Sequence, residues 1–229
     1  MDLDTASAND HDPRAAAAID DLPIFPLPNA VLFPNTLLPL HVFEPRYQQL
    51  LQRIMEGDKR LAIALLAPGW EPDYYGAPPI HPVMGLGEVI SHNQLSGGRS
   101  NILVRGLARV RLVQEHHTAL EYRTVRALIE RTRAAPNDGL ARHLATVRQL
   151  FAHVVTRIPQ VSLDDAEVLF QEGSDPEQVL DAIASATPGP SARKQALLEE
   201  RCVEQRALLL ADLLADVAGG TFGGATGES

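Results

Sequence analysis

The first half of the chain alternates between short apolar runs and turn residues, a pattern that is typical of β-strands. Apolar runs at residues 22–27 and 30–40 are interrupted by prolines. Because proline cannot donate a hydrogen bond to a sheet ladder, these two segments must be short, bulged or at an edge. Residues 44–56 differ, since apolar side chains recur there every three or four positions and Gly57 follows, which predicts a helix.

Further strands are predicted downstream of this helix. The run 61–66 is short and continuously apolar, as in a buried strand. Residues 83–95 and 101–104 flank Ser96-Gly97-Gly98, which is a hairpin turn signal. Residues 108–114 and 121–129 are the last strand segments of this half. About six or seven short strands with one early helix predict a small, curled, mainly antiparallel sheet or barrel.

The second half of the chain carries helical signals, which begin after a turn-rich linker at residues 134–139. One apolar stripe at helical spacing covers residues 140–155. Two shorter helices are predicted at residues 162–169 and 176–187. A long helix is predicted at residues 191–217, capped by Ser191 and closed by glycines.

These patterns divide the chain into a β-lobe at residues 22–133 and an α-helical lobe at residues 140–218. Residues 1–21 and 219–229 lack periodicity, so we expect disordered tails there. The net charge of the chain is −9, and six acids against one arginine in residues 1–21 give −5 of it. An acidic chain repels nucleic acid at long range, so a nucleic-acid partner is not the first expectation.

The cysteine content and the first residues of the chain indicate the cellular compartment of the protein. The one cysteine, Cys202, excludes a disulfide framework within the chain and a cysteine zinc site. We expect it to be a small buried side chain of the last helix. The first residues carry acids where a signal peptide needs bases, and no run of about 18 apolar residues occurs. We therefore expect a cytoplasmic protein without a membrane span.

No set of catalytic or metal-binding residues stands out. The phosphate-binding pattern G-x-x-x-x-G-K-[ST] does not occur, and the two lysines are Lys59 and Lys194. Lys194 lies near Ser191, but Ser191 is predicted as a helix cap, so a serine–lysine pair is not expected. His116 and His117 are adjacent on a predicted strand and would point to opposite faces. We predict no catalytic residues, no cofactor and no metal site.

Three segments of the chain resemble a known family. Residues 22–47 read LPIFPLPNAVLFPNTLLPLHVFEPRY, residues 85–112 read GLGEVISHNQLSGGRSNILVRGLARVRL, and residues 175–200 read DPEQVLDAIASATPGPSARKQALLEE. Together they resemble the N-terminal, substrate-binding domain of the Lon protease family, in the form of a stand-alone member without ATPase or peptidase domains. The resemblance implies an α+β fold, with a PUA-like antiparallel β-pseudobarrel followed by a C-terminal α-helical bundle.

The same resemblance implies a function. A stand-alone substrate-binding domain would be a non-catalytic recognition module, and its expected partners are unfolded or apolar segments of client proteins. Catalysis would be left to a separate protease or be absent altogether.

The candidate protein-binding residues lie in two short regions. Glu44 and Arg46 begin the early helix, where they either form a local ion pair or border a recognition cleft. The proline-rich loop at residues 67–82 contains Trp70, Tyr74 and Tyr75. These aromatic side chains either plug the mouth of the barrel or form a semi-rigid contact surface. Replacing Trp70 with alanine should lower thermal stability in the first case and weaken peptide binding in the second.

An arginine-rich stretch keeps an RNA-binding alternative open. Residues 99–133 contain eight arginines and three glutamates, a local balance of +5. If exposed on the strands, these side chains would form a nucleic-acid face. Its central members are Arg105, Arg109, Arg111, Arg123 and Arg126. Tyr122 is the one Phe, Tyr or Trp in this stretch, which is few for a surface that stacks bases.

Overall fold

The structure, a computed structural model, describes residues 17–133, 139–155, 171 and 173–220. The first of these ranges contains β1 (Ala18–Leu27), β2 (Leu37–Val42), α1 (Pro45–Met55), β3 (Arg60–Leu65), β4 (Val83–Gln94), β5 (Ser100–His116) and β6 (Thr124–Glu130). The later ranges contain α2 (Leu140–Val154), α3 (Pro176–Ala186), α4 (Ser191–Glu199) and α5 (Val203–Ala218). The predicted α+β class is therefore confirmed.

Five of the described strands close into a barrel. β1 pairs in parallel with β3 and antiparallel with β6, and β6 also pairs with the second half of β5. β4 joins β3 to β5 through antiparallel ladders, so that β1–β3–β4–β5–β6 is a continuous ring. β2 stands outside the ring and pairs with the first half of β5. The mainly antiparallel pseudobarrel is thus confirmed, with β1 and β3 as its parallel pair.

Two glycines allow the segment between β1 and β2 to cross the sheet at very short range. A side chain at Gly85 would place its Cβ atom 2.1 Å from the Leu32 carbonyl oxygen. A side chain at Gly106 would place its Cβ atom 1.9 Å from the Phe33 carbonyl oxygen. The Asn35 N–H then donates to the Gly106 carbonyl oxygen at 2.9 Å. Glycine is needed at both positions because any Cβ atom would push the two backbones apart.

The barrel and the helices share part of one apolar core. Phe33 of the segment between β1 and β2 and Val83 of β4 pack in the same cluster as the buried faces of α2, α3, α4 and α5. The helical contribution is made by aliphatic and aromatic side chains at helical spacing, among them Val147, Phe151, Val154, Leu180, Ile183, Leu197, Leu210 and Leu213. Burial of these side chains is the main force that holds the helices against the barrel.

Three buried charges also connect the barrel to the helices. Arg109 on β5 donates from Nη1 to Asp181 Oδ2 on α3 at 3.0 Å, and Arg206 Nη1 on α5 lies 3.5 Å from Asp181 Oδ1. The side chains of Arg109, Asp181 and Arg206 are 5%, 1% and 0% exposed. Burial raises the pKa of Asp181 above its ordinary value, and the hydrogen bonds from Arg109 oppose that rise. Arg109 is therefore not part of an exposed arginine face.

The final helical region is interrupted, so the prediction of one helix at residues 191–217 is wrong. α4 ends at Glu199 and α5 begins at Val203. Between them, Cys202 forms a parallel bridge with Arg133, and the Arg133 N–H donates to the Arg201 carbonyl oxygen at 2.8 Å. Pairing with the chain beyond β6 takes these residues out of the helical conformation.

Some predicted roles near element ends also change. Pro190 occupies the N-cap position of α4, and Ser191 is the first residue of the helix. No side chain makes a capping hydrogen bond there, so Ser191 is not the cap. Cys202 is half-buried at the start of α5 and does not lie inside a helix. Residues 18–21, which we predicted as part of the acidic tail, begin β1, and Ala18 and Ile19 pair with β6. The helix predicted at residues 162–169 lies outside the described residues.

Candidate protein-binding site

The two regions predicted to contain protein-binding residues lie together in the structure. Glu44 and Arg46 stand at the start of α1, and Trp70, Tyr74 and Tyr75 lie in the loop between β3 and β4. Hydrogen bonds and ring contacts join all five residues, which we call the aromatic site. Sequence separation gave no reason to combine them, because Glu44 and Tyr74 are thirty positions apart.

Glu44 and Arg46 tie the start of α1 to the loop. Glu44 precedes the helix and Pro45 occupies its first turn, where a missing N–H is tolerated. The Glu44 carboxylate makes no bond to the helix N-terminus and accepts instead from Arg46 Nε at 3.1 Å and from the Tyr74 hydroxyl at 2.9 Å. Arg46 Nη1 donates to the Tyr74 carbonyl oxygen at 3.1 Å. The predicted local ion pair is present, and it also fixes the loop.

The aromatic rings form a connected row beside the Arg46 guanidinium. The guanidinium carbon lies 4.7 Å from the Tyr47 ring centre, 5.1 Å from that of Tyr74 and 5.9 Å from that of Tyr75. Tyr74 meets Trp70 and Tyr75 edge-on, at centroid distances of 5.5 and 5.1 Å. Trp70 and Tyr74 are half-buried, whereas Tyr75 is 86% exposed. The row therefore runs from a buried ring to one that is open to solvent.

The loop has hydrogen bonds of its own, so its shape does not depend on the aromatic contacts alone. A single turn of 3-10 helix at Glu71–Asp73 precedes Tyr74, and the Asp73 carboxylate accepts the Ala77 N–H at 3.1 Å. Arg123 Nη1 on the neighbouring segment donates to the Pro78 carbonyl oxygen at 2.7 Å. Two arginines, Arg46 and Arg123, thus hold two carbonyl groups of the same loop.

A small pocket of about 20 Å³, about enough for one water molecule, lies against the loop. Its walls combine apolar rings with charged groups, and they are Pro26, Arg46, Tyr47, Leu66, Tyr74, Gly76, Pro78, Glu121, Tyr122 and Arg123. Of these residues, Tyr47, Tyr122 and Pro78 are buried. Trp70, Tyr74 and Tyr75 are less buried than these residues. The exposure of Tyr75 favours the contact surface over the plug, and the contact surface stays a prediction.

Tyr74 should report the integrity of the aromatic site in an alkaline titration. Burial raises the pKa of Tyr74, and its hydrogen bond to the Glu44 carboxylate raises it further. We expect Glu44→Gln to move the Tyr74 pKa back toward its ordinary value of about 10, because the charged acceptor is gone. Absorbance of tyrosinate against pH measures this, and Tyr74→Phe identifies the signal. An unchanged Tyr74 transition in Glu44→Gln would contradict the geometry.

The arginines of the RNA-binding alternative are each engaged by a carboxylate. Four of them form ion pairs at 2.5 to 3.2 Å: Arg105 with Glu88, Arg111 with Glu130, Arg123 with Glu115 and Arg126 with Asp20. Arg109 is buried against Asp181. Hydrogen bonds from Arg123 lower the pKa of Glu115, so that carboxylate is charged at neutral pH. A phosphate would have to compete with a carboxylate at every one of these positions.

Several exposed apolar side chains, three of which lie on or next to β2 and β4, were not singled out from the sequence. Leu37 on β2 is 54% exposed, Phe43 after β2 is 59% exposed, and Ile90 on β4 is 45% exposed. Phe43 directly precedes Glu44 and stacks on His41 at 5.9 Å. The segment LLPLHVF is apolar at nearly every position, so its alternation could not indicate which face is open. Only Pro39 gave a signal, since it marks an edge strand.

Among the described residues, every helix is too short or too polar to cross a bilayer.

The chain is similar to curated Lon proteases over most of its length. It is 28% identical to "Lon protease" of Xanthomonas oryzae pv. oryzae over 197 residues, and 24% identical to "Lon protease" of Desulfosudis oleivorans over 189 residues. These matches cover 85% and 82% of this chain but 23% of each relative. The chain therefore spans less than a quarter of the length of these relatives.

Solved structures share the fold. The N-terminal domain of a Mycobacterium avium complex Lon protease superposes with a TM-score of 0.69 at 17% identity, covering 86% of this chain and 98% of that one. A Lon N-terminal domain protein from Xanthomonas campestris gives a TM-score of 0.58 at 21% identity with the same coverage. A sequence model described as the ATP-dependent protease La (LON) substrate-binding domain matches residues 21–216, and the chain belongs to this family.

Proposed function

We propose that this chain is a non-catalytic recognition module that binds unfolded or apolar segments of client proteins at the aromatic site. The observation that carries the proposal is Tyr75, a large side chain that is 86% exposed at the end of a row of rings. A soluble protein tends to bury aromatic side chains or to use them in binding. Membership of the substrate-binding family supports the protein-binding role.

The hydrogen bonds that order the loop at residues 67–82 should lower the entropic cost of binding a client. Arg46 and Arg123 hold the Tyr74 and Pro78 carbonyl groups, and Asp73 closes the turn between them. A surface that is ordered before binding loses less conformational freedom when a client arrives. Tyrosine and tryptophan add large contact areas with few rotatable bonds, which is why they are frequent binding hot spots. Contacts of this apolar kind tolerate many client sequences.

Any proteolysis of a bound client would be carried out by a separate protease. Ser191 and Lys194 lie close together in the sequence, but Lys194 Nζ donates to the Ser185 carbonyl oxygen. We also place the protein in the cytoplasm, where its single cysteine would stay reduced. The RNA-binding alternative is less favoured because its arginines are engaged by carboxylates.

The single tryptophan of the chain, Trp70, gives a direct test. We expect Trp70 emission to change in a saturable way on titration with a tryptophan-free polypeptide that is reduced and alkylated so that it stays unfolded. The folded form of the same polypeptide should leave the emission unchanged. Equal responses to both forms, or no binding of the unfolded form by calorimetry, would contradict the proposal. Salt-sensitive binding of RNA would instead favour the alternative.

A further inference from the structure

The charges at the aromatic site are unevenly balanced. Glu44 is neutralised by Arg46, and Glu115 is neutralised by Arg123. Glu71, Asp73 and Glu121 are exposed, and within the described residues no cation forms an ion pair with any of them. Glu71 and Asp73 form the turn that leads into Tyr74, and Glu121 lines the pocket shared with Arg46 and Tyr74. Three carboxylates without an ion pair therefore lie near the aromatic site, two of them in the turn before Tyr74 and Tyr75 and one in the pocket beside Tyr74.

The two nearby arginines are not available to balance these acids. Arg46 is occupied by the Glu44 carboxylate, the Tyr74 carbonyl oxygen and the aromatic rings. Arg123 makes two hydrogen bonds to Glu115 and one to the Pro78 carbonyl oxygen. Their side chains are also largely buried, with exposed fractions of 14% and 16%. A ligand at the surface thus meets carboxylates and rings rather than guanidinium groups.

We propose that the aromatic site selects apolar client segments that carry lysine or arginine, and disfavours acidic ones. The inference rests on the proposed function, because it names the client chemistry at the same site. The rings already accept one guanidinium, since Arg46 lies within 6 Å of three of them. Tyr75 is open to solvent and can accept a second cation on its ring, as lysine and arginine commonly do.

Charge at long range acts in the same direction. The carboxylates of Glu71, Asp73 and Glu121 attract a basic segment and repel an acidic one before contact. At about 0.1 M salt this attraction acts over about 10 Å, which is comparable to the size of the site. Electrostatic complementarity chiefly changes the association rate and the choice of partner. Apolar contacts with Tyr75 and Trp70 would supply the affinity that remains at high salt.

Three matched peptides test the selectivity. They share one apolar core and differ only in their flanks, which are lysine, glutamine or glutamate. We expect the full chain to bind the lysine peptide about tenfold more tightly than the glutamine peptide at low salt, and the glutamate peptide more weakly still. High salt should bring the three affinities close together.

Charge-neutral variants locate the effect. The triple variant Glu71→Gln, Asp73→Asn and Glu121→Gln keeps the size of each side chain and should remove most of the preference for lysine. Its control is Glu56→Gln, Asp58→Asn and Asp212→Asn, which removes the same charge from exposed positions on other parts of the fold. The control should keep the preference. If both triples lose it equally, net charge alone acts, and the assignment to the aromatic site is wrong.

The outcomes separate the inference from the proposed function. Equal binding of the three peptides at low salt, with full affinity, overturns the charge selectivity and leaves the recognition of apolar segments in place. No binding of any peptide contradicts the proposed function itself, and the inference fails with it. Tightest binding of the glutamate peptide reverses the inferred chemistry.

Discussion

Replacing Asp181 with alanine is expected to lower the free energy of unfolding by about 3–5 kcal/mol, the largest effect of any change considered for this protein. Asp181 is the counter-charge to Arg109 and Arg206, and all three side chains are almost completely buried. Without the carboxylate, the two buried guanidinium groups would keep their hydrogen bonds to the Leu198 and Glu200 carbonyl oxygens but would lose the buried counter-charge that they share. An unpaired buried charge costs far more than an intact pair gains, which is why one truncation is so damaging.

Chemical denaturation measures this effect as a shift of the unfolding midpoint. Asp216→Ala is the matched control, because Asp216 pairs with Arg193 at 2.9 Å on the exposed side of the helices. Exposed pairs of this kind contribute about 0–1 kcal/mol, so the control should unfold almost like the wild-type protein. If Asp181→Ala is too unstable to purify, Asp181→Asn keeps the shape and should fall between the two. Equal midpoints for Asp181→Ala and Asp216→Ala would show that the buried network does not join the two parts.

Tyr75→Ala is expected to weaken binding of an unfolded polypeptide by about 2 kcal/mol, or about 30-fold in Kd. The ring is 86% exposed and contacts little besides Tyr74 and Arg46, so its loss should leave the free energy of unfolding within about 0.5 kcal/mol of wild type. This combination separates a contact surface from a plug, because removal of a plugging side chain would destabilise the barrel.

Tyr75 is a sharper test of these two models than Trp70. Trp70 is half-buried and meets Tyr74 edge-on, so Trp70→Ala should affect both stability and binding. For Tyr75→Ala, binding is followed by Trp70 emission and stability by thermal unfolding. Leu208→Ala is the control, since Leu208 is a partly exposed apolar residue on α5. Full affinity of Tyr75→Ala, or equal loss of affinity in Leu208→Ala, would remove Tyr75 from the binding surface.

Local features of the fold could be read from the sequence. The helix α1, the buried strand β3 and the hairpin between β4 and β5 lie where apolar spacing and turn residues predict them. Each depends on interactions within a few residues, such as the positive φ angles that Gly97 and Gly98 adopt between two strands. The candidate residues Glu44, Arg46, Trp70, Tyr74 and Tyr75 were also found this way, from unusual composition in two short regions.

Long-range pairing decided the rest of the fold. Closure of the barrel depends on β1, which pairs with β3 and β6, and β6 lies about a hundred positions away along the chain. The break between α4 and α5 depends on Arg133, which pairs with Cys202 at a distant position of the chain. The helical spacing of apolar residues continues through residues 199–203. The local pattern therefore could not reveal that the backbone there pairs with Arg133 instead of continuing the helix.

The sequence by itself determined the class of the protein, the order of most of its elements and the residue types of the candidate site. Only the tertiary structure decided which charged side chains form ion pairs and which do not. Arg109 looks like its neighbours on β5 in the sequence, yet it is buried against Asp181, and Arg105 and Arg123 are paired at the surface. Glu71 and Glu121 in contrast have no ion pair among the described residues. A charged side chain is neutralised by whatever the fold brings within a few ångströms, and that proximity is a property of the folded chain.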